Sequence, residues 1–255
     1  MLNFLTKKEQ LRYNRQIILK NFDLQGQKIL KDSSVLIVGL GGIGCSTATW
    51  LVCSGIGKIT LLDFDLVSQN NLQRQILYRD TTLGMLKVDS AQKILQSLNN
   101  YCQINTISER LSNDKLNYLI KHQNAVLDCT DNIESREQLN VLCYFSKVPL
   151  ISAAAIRMEG QLNTFTWQVE HPCYHCISRL FGRKKLSCVE SGVMAPLVGV
   201  MGALQAMETL KLLTNYGNSL ESKILMYDAL TIQFKKFVVK KDLNCEVCSH
   251  HNFKI

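Results

Sequence analysis

Three groups of residues in this 255-residue chain have the types and spacing to do chemistry. The first is Gly39-Leu40-Gly41-Gly42-Ile43-Gly44, a G-x-G-x-x-G pattern with carboxylates about 20 positions on, at Asp63 and Asp65. Glycine at Gly39, Gly41, Gly42 and Gly44 lets a backbone approach phosphate closely. A helix starting there would aim free amides at the anion, and Asp63 can take ribose hydroxyls. The plainer alternative is that these glycines only pack a helix on a strand.

Just beyond lie Ser68-Gln69-Asn70-Asn71-Leu72-Gln73-Arg74 and then Lys87, two cations and several amides including Asn71 and Gln73. Cations beside a nucleotide suit a triphosphate, whose charge must be neutralised before pyrophosphate can leave. Read singly, Arg74 and Lys87 are each ordinary solvated charges. Asp131 and Asn132 end the run Asp128-Cys129-Thr130-Asp131-Asn132. Asp131 can hold Mg²⁺ against phosphate or merely cap the next helix. All five histidines lie at or after His122, away from the glycine loop, so a histidine base is not expected there. Attack by a terminal carboxylate would need none, because its pKa is about 3.5.

The third group is Cys173-x-x-Cys176 with Cys245-x-x-Cys248, four thiolates suited to a closed tetrahedral Zn²⁺ site that would tie the tail back to the middle of the chain. Redox chemistry, or His250 or His251 in place of one thiolate, are the alternatives. Cys188 stands outside both pairs, as a candidate nucleophile or an unremarkable thiol.

The elements that must position these groups follow from the apolar pattern. A capping box at Thr6 and Glu9 opens a helix carrying Arg12 and Arg15. Continuous apolar runs predict buried strands at 34–38, from 58, near Ile104 and at 125–128, alternating with helices to about Ser54, over 85–98, near Leu116 and over 133–145. Such a β-α alternation predicts an α/β, Rossmann-like open sheet, parallel in its N-terminal half, with helices on both faces. Strands around 150–155 and 162–167 have no helix between them, so the sheet turns mixed in its C-terminal half. Residues 171–190 read as a long irregular connection, followed by a helix of about 20 residues from near Ala195. Strands at 223–227 and 234–239 and a small zinc knuckle complete the chain. One domain over 1–255 is expected, with a nucleotide-binding half at 1–170 and, at 171–255, the crossover, the long helix, the last strands and the zinc-binding tail.

Hydrophobic residues at 46%, charged residues at 20% and only three prolines exclude a disordered or collagenous chain. Two uncharged stretches, 33–57 and 191–207, read as buried elements rather than membrane spans, being broken by glycine or proline. The net charge of +8 is dispersed, and Arg183-Lys184-Lys185, Lys235-Lys236 and Lys240-Lys241 lack the interleaved aromatics of a single-strand platform, so no nucleic acid is expected. Ten cysteines without an export signal near Met1 point to a cytoplasmic chain with reduced or metal-bound thiols.

Together, Arg12-Tyr13-Asn14-Arg15-Gln16, the glycine loop, Asn71-Leu72-Gln73-Arg74-Gln75, Asp128-Cys129-Thr130-Asp131-Asn132, Ala155-Ile156-Arg157-Met158-Glu159-Gly160-Gln161, Cys176-Ile177-Ser178-Arg179-Leu180-Phe181-Gly182 and Gly192-Val193-Met194-Ala195-Pro196-Leu197 carry a resemblance over nearly the full chain. They resemble the ubiquitin-activating-like adenylyltransferases of bacterial sulfur-carrier systems. Several are shared with the thiamin branch of that family, whereas Arg157-Met158-Glu159 and Ser178-Arg179-Leu180-Phe181 favour the molybdopterin branch.

The resemblance implies ATP-Mg²⁺ adenylation of the C-terminal glycine of a small ubiquitin-fold carrier, the small subunit of molybdopterin synthase, in molybdenum cofactor synthesis. It assigns ribose to Asp63, phosphates to Asn71, Arg74 and Lys87, magnesium to Asp131, and gives Arg15 a reach into the other crevice of a homodimer. It also implies a separate sulfur donor, because no rhodanese-like stretch follows the knuckle; members of the wider family differ in their use of a cysteine in this loop, and adenylation without covalent catalysis by Cys188 is expected here. The same reaction on the thiamin-pathway carrier, an NAD-dependent oxidoreductase, and a zinc-stabilised binding module without catalysis are the competing readings.

Overall fold

In a computed structural model of the chain, residues 4–181 and 192–249 are described. The N-terminal helix α1 (Lys7–Arg12) is opened by the expected capping box: the Glu9 amide donates to Thr6 Oγ1 at 3.2 Å, and the Thr6 amide donates to the Glu9 carboxylate at 2.8 Å. Buried Tyr13 interrupts the helix before α2 (Asn14–Ile17) and accepts a hydrogen bond from Asn99 Nδ2 at 2.7 Å, which anchors this arm to the body. A third helix, α3 (Asp23–Asp32), has no counterpart in the sequence reading, because its stretch is mostly polar and buries only Gly26, Gln27 and Leu30.

The alternation then runs as predicted through β1 (Ser34–Val38), α4 (Gly42–Ser54), β2 (Lys58–Leu62), α5 (Lys87–Leu98), β3 (Gln103–Ile107), α6 (Asn113–Lys121), β4 (Ala125–Asp128), α7 (Ile133–Ser146) and β5 (Leu150–Ile156). After these come β6 (Glu159–Phe165), a short α8 (Tyr174–Ser178), α9 (Ala195–Thr214), β7 (Lys223–Asp228) and β8 (Gln233–Val238). All eight strands form one open sheet in the order β3-β2-β1-β4-β5-β6-β7-β8. Strands β1 to β5 are parallel, and β6, β7 and β8 join antiparallel, so the sheet changes character where the chain lost its crossover helix.

Successive residues of β1 point to opposite faces. Val35 and Ile37 enter the cluster under α4 and α9, Leu36 and Val38 the one under α6 and α7, and Val35, Leu36 and Ile37 are wholly buried. Burial on both faces is why the central strands read as unbroken apolar runs. Each such side chain contributes roughly 1.5–3 kcal/mol of transfer free energy, which makes the edge of this sheet a rigid platform.

One expectation needs correction. Residues 171–190 are not irregular throughout: α8 and a 3-10 turn (Arg179–Phe181) occupy their first half, because Asn140 Oδ1 accepts the Tyr174 amide at 2.9 Å and the Glu137 carboxylate accepts the Ser178 hydroxyl at 3.0 Å. That ordering comes from α7, far away in sequence. Helix α9 does start at Ala195 and runs 20 residues; it is long and apolar enough to cross a membrane by length and composition, yet it lies on α4 and β5. Its buried Gln205 donates to the Asp128 and Ile151 carbonyls, both at 2.9 Å, and accepts from Thr47 Oγ1 at 2.8 Å, ties that a core helix makes. Cys188, Arg183-Lys184-Lys185, His250 and His251 lie outside the described residues.

Candidate active site

Parallel register brings the candidate residues together. Val38 pairs with Leu62 and with Asp128, and Leu62 pairs with Ile107, so the chain leaves four neighbouring strands at one level. The glycine loop, Asp63, the segment after Ile107 and the run after Asp128 therefore converge beyond the carboxyl ends of the strands. That is the edge where open α/β sheets bind ligands. A crevice of about 1190 Å³ opens there, lined by Gly39, Gly41, Gly42, Asp63, Asp65, Asn71, Arg74, Lys87, Asp131 and Asn132.

The glycines divide their labour. Gly39 has φ +90°, a left-handed conformation that turns the chain out of β1, while a Cβ on Gly44 would sit 2.0 Å from the Gly39 carbonyl oxygen. Gly44 thus serves close packing, as the plainer reading expects, and does not line the crevice. At Gly41 a Cβ would meet nothing within 4 Å, so its missing side chain leaves open space at the N-terminus of α4, an end with no side-chain cap. Uncapped amides and the helix dipole make that space suited to an anion.

Asp63, only 8% exposed, accepts the Leu40 amide at 2.6 Å and the Asp65 amide at 2.9 Å, which fixes the glycine loop to the end of β2. Each carboxylate oxygen keeps a lone pair for a hydroxyl. Lys87 is no solvated surface charge: at 6% exposed it begins α5 and reaches Asp65 with a 2.7 Å ion pair. Arg74 is half-buried, and its Nη1 donates to the Asn70 carbonyl at 2.8 Å. Asn71 is buried in a 3-10 turn (Gln69–Asn71), accepting the Ser68 amide at 3.1 Å.

The alternative of a helix cap falls to Asn132, which accepts the Ser135 amide at 2.8 Å and opens α7. Asp131 is left exposed at the crevice, free of that duty. Gln73 is exposed and turned out of the crevice; Gln75 takes its place, 3% exposed, with its buried Oε1 lacking a hydrogen-bond partner. The Gln75 amide donates to the Asn71 carbonyl at 3.0 Å, a helical turn whose i,i+4 spacing sets both on one face. Arg136 was also missed. It lines the crevice from α7, donating to the Thr130 carbonyl at 2.5 Å, with Nε 4.0 Å from the buried Asp128. Arg110, over the Phe64 ring, is a third. Arg15 lies on α2, exposed and outside this crevice.

Burial pushes the Cys45 thiol up to about 12 and raises that of Cys129 too, so neither supplies a thiolate beside the crevice at neutral pH. What the arrangement can do is bind and polarise: amides and cations face one space, with a free carboxylate for a divalent ion.

The four cysteines of the two pairs meet. Their sulfurs lie within 4.8 Å of one another, with Cys173–Cys245 at 3.6 Å, Cys176–Cys248 at 3.5 Å and Cys173–Cys176 at 4.0 Å. Zn–S bonds of 2.3 Å in a tetrahedron require about 3.8 Å between sulfurs, so the set fits zinc and needs no histidine. Helix α7 joins this cluster to the crevice. Below Arg136, Glu137 holds His175 and Ser178, Asn140 Nδ2 lies 3.7 Å from Cys173 Sγ, and Tyr144 donates to the Cys248 carbonyl at 3.2 Å.

Comparison with known proteins gives one direction. A model of the ThiF family matches residues 13–247. The chain is 54% identical over 244 residues to the molybdopterin-synthase adenylyltransferase of Salmonella typhimurium, covering 96% of this chain and 98% of that one. Identity to the Haemophilus influenzae protein of the same name is 49% over 242 residues, covering 95% and 99%. The solved structure of Escherichia coli MccB with ATP has the same fold at a TM-score of 0.78, with 23% identity, covering 89% of this chain and 70% of that one.

Proposed function

Because this chain belongs to the ThiF family, we propose that its crevice binds ATP and adenylates the C-terminal glycine of a small ubiquitin-fold carrier, the small subunit of molybdopterin synthase. One observation carries the reading: the shared register of β1, β2 and β4 gathers the glycine loop, Asp63, Lys87, Arg74 and Asp131 around one space. The carrier carboxylate is already ionised at neutral pH and attacks the α-phosphorus directly. A bond forms between a carboxylate oxygen and the α-phosphorus, the bond from that phosphorus to the oxygen bridging it to the β-phosphorus breaks, and pyrophosphate departs with that oxygen, leaving a carrier acyl-adenylate.

Each residue has a proposed part. Asp63 takes the ribose, the Gly41 amide side and Asn71 the phosphates, and Arg74 and Lys87 the charge that grows on the leaving pyrophosphate. Lys87 exchanges its contact with Asp65 for phosphate in doing so. Asp131 would hold Mg²⁺, which neutralises phosphate charge when bound. Cys173, Cys176, Cys245 and Cys248 would hold Zn²⁺, which cross-links the tail.

Arg15 makes no hydrogen bond or ion pair among the described residues, whereas Arg12 is held by the Leu98 carbonyl, so α2 presents Arg15 outward. We assign it to the crevice of a second copy, in a homodimer. The nucleotide half is 1–170, and the carrier docks on 171–255. There the edge strand β8 exposes Phe234 and Phe237 beside Lys235 and Lys236, suited to an acidic carrier. A separate cytoplasmic protein then delivers sulfur to the acyl-adenylate. ATP–pyrophosphate exchange tests the reading: it should require a carrier ending in Gly-Gly, and the carrier should gain AMP by mass spectrometry. Exchange indifferent to the carrier would refute it, and preference for the thiamin-pathway carrier in competition would reassign the substrate.

A further inference from the structure

The crevice holds a cation, Arg110, to which the proposed phosphate contacts give no part. Arg110 follows β3, and because Ile107 pairs with Leu62, the chain around it leaves the sheet beside Phe64, the residue after Asp63. Its guanidinium carbon lies 4.5 Å from the Phe64 ring centroid, and both residues line the crevice. Among the described residues Arg110 has no ion pair and no hydrogen bond, and Phe64 is 43% exposed despite that cover. Apolar side chains of Leu111, Leu116 and Leu139 line the same crevice. A guanidinium over an aromatic ring in a crevice with apolar lining can serve as a stacking surface, since the planar group stacks on π-systems as an ammonium cannot.

We infer that Arg110, held flat by Phe64, stacks its other face on the purine base and so fixes the nucleoside end of ATP while Asp63 holds the ribose. The inference rests on the reading of the crevice as an ATP site and adds a base-specificity residue to it. Arg110 is exposed, so its replacement leaves the core intact.

Calorimetry with two probes separates base contact from phosphate contact: ATP, and inorganic tripolyphosphate, which has no base. A stacking contact of this kind is worth about 0.5–2 kcal/mol, so Arg110→Ala should weaken ATP roughly 3- to 30-fold and leave tripolyphosphate unchanged. Arg110→Lys, which keeps the charge and loses the plane, should behave like Arg110→Ala. Undiminished ATP binding in Arg110→Ala overturns the inference; so does equal weakening of both probes, or full rescue by lysine, which would make Arg110 a phosphate cation. None of these outcomes depends on turnover. Should the wild-type chain bind ATP in this way yet show no carrier-dependent exchange, the adenylation reading fails while the base contact stands.

Discussion

Two neighbouring glycines should respond to the same substitution in opposite ways. Gly41 has φ −71° and ψ −161°, angles open to alanine, and a Cβ there touches nothing within 4 Å. Gly41→Ala should therefore not harm the free protein. Loss of glycine's unfolded-state freedom stabilises by about 0.4–1 kcal/mol, a rise in Tm of roughly 1–4 °C for a chain of this size. The new methyl fills the space at the helix N-terminus that the phosphates are to occupy, and misplacing a reacting group by about 1 Å costs on the order of 100-fold, or about 2.7 kcal/mol. At Gly44 the same methyl would lie 2.0 Å from the Gly39 carbonyl oxygen, backbone against backbone. Overpacking of that sort costs about 1–3 kcal/mol or more, so Gly44→Ala should lower Tm. Thermal melts with and without ATP, followed by carrier-dependent pyrophosphate exchange, give both quantities. If Gly41→Ala retains wild-type ATP protection and exchange, the open space is not the phosphate cradle and the reasoning fails.

Other perturbations address the remaining parts. Arg74→Ala and Asp131→Ala should each reduce exchange by at least about 100-fold, since the proposed role of each is to stabilise developing charge, while far-ultraviolet circular dichroism stays native; wild-type exchange in both would remove those roles. Cys245→Ser should abolish zinc in elemental analysis. It should also lower Tm by roughly 10 °C, because the metal closes a long loop whose entropy is worth about 4 kcal/mol on the cross-link scale; unchanged metal content would show that the four sulfurs are not a zinc site. Burial alone would raise the Glu9 carboxyl, but hydrogen bonds from Lys31 and Thr6 outweigh it and hold the group below its usual value. Its contribution is complete above the unfolded value and fades as pH falls through the lower folded one. The Tm gap between wild type and Glu9→Gln should accordingly close on acidification, and a gap that widened would reverse the sign.

Much of this was legible because the signals were local. The runs at 34–38 and 125–128 become β1 and β4 with the predicted bounds, since strands buried on both faces need no alternation to be seen. The cysteine pairs could be read because metal-ligand spacing is a property of short segments. What escaped depended on distant neighbours. Helix α8 is ordered by Glu137 and Asn140 of α7, and α3 is polar except where other elements cover it. Gln73 and Gln75 could be separated only once the 3-10 turn gave the segment a helical period. Lys87 looked like a solvent cation because nothing in its own helix announces that β2 will bring Asp65 to 2.7 Å from it.

That Lys87 contact explains why the charged crevice sits on so apolar a frame. A buried ammonium is costly without a partner and is tolerated here because Asp65, whose side chain is 57% exposed, shares its desolvation with water. On the proposed reading, a phosphate arriving between them replaces one anion by another of higher charge, so the lysine would not be desolvated again on binding ATP. The exchange helps only if the lysine stays put, and its place is fixed by the α5 N-terminus, where its own amide donates to the Asp65 carbonyl at 2.9 Å. Rigid backbone and half-exposed counterion together hold the cation where the proposed phosphate contact needs it. Asp65→Ala should therefore leave the cation buried and unpaired in the free protein and increase its dependence on nucleotide for stability, shifting the melt more on addition of ATP than the wild type does.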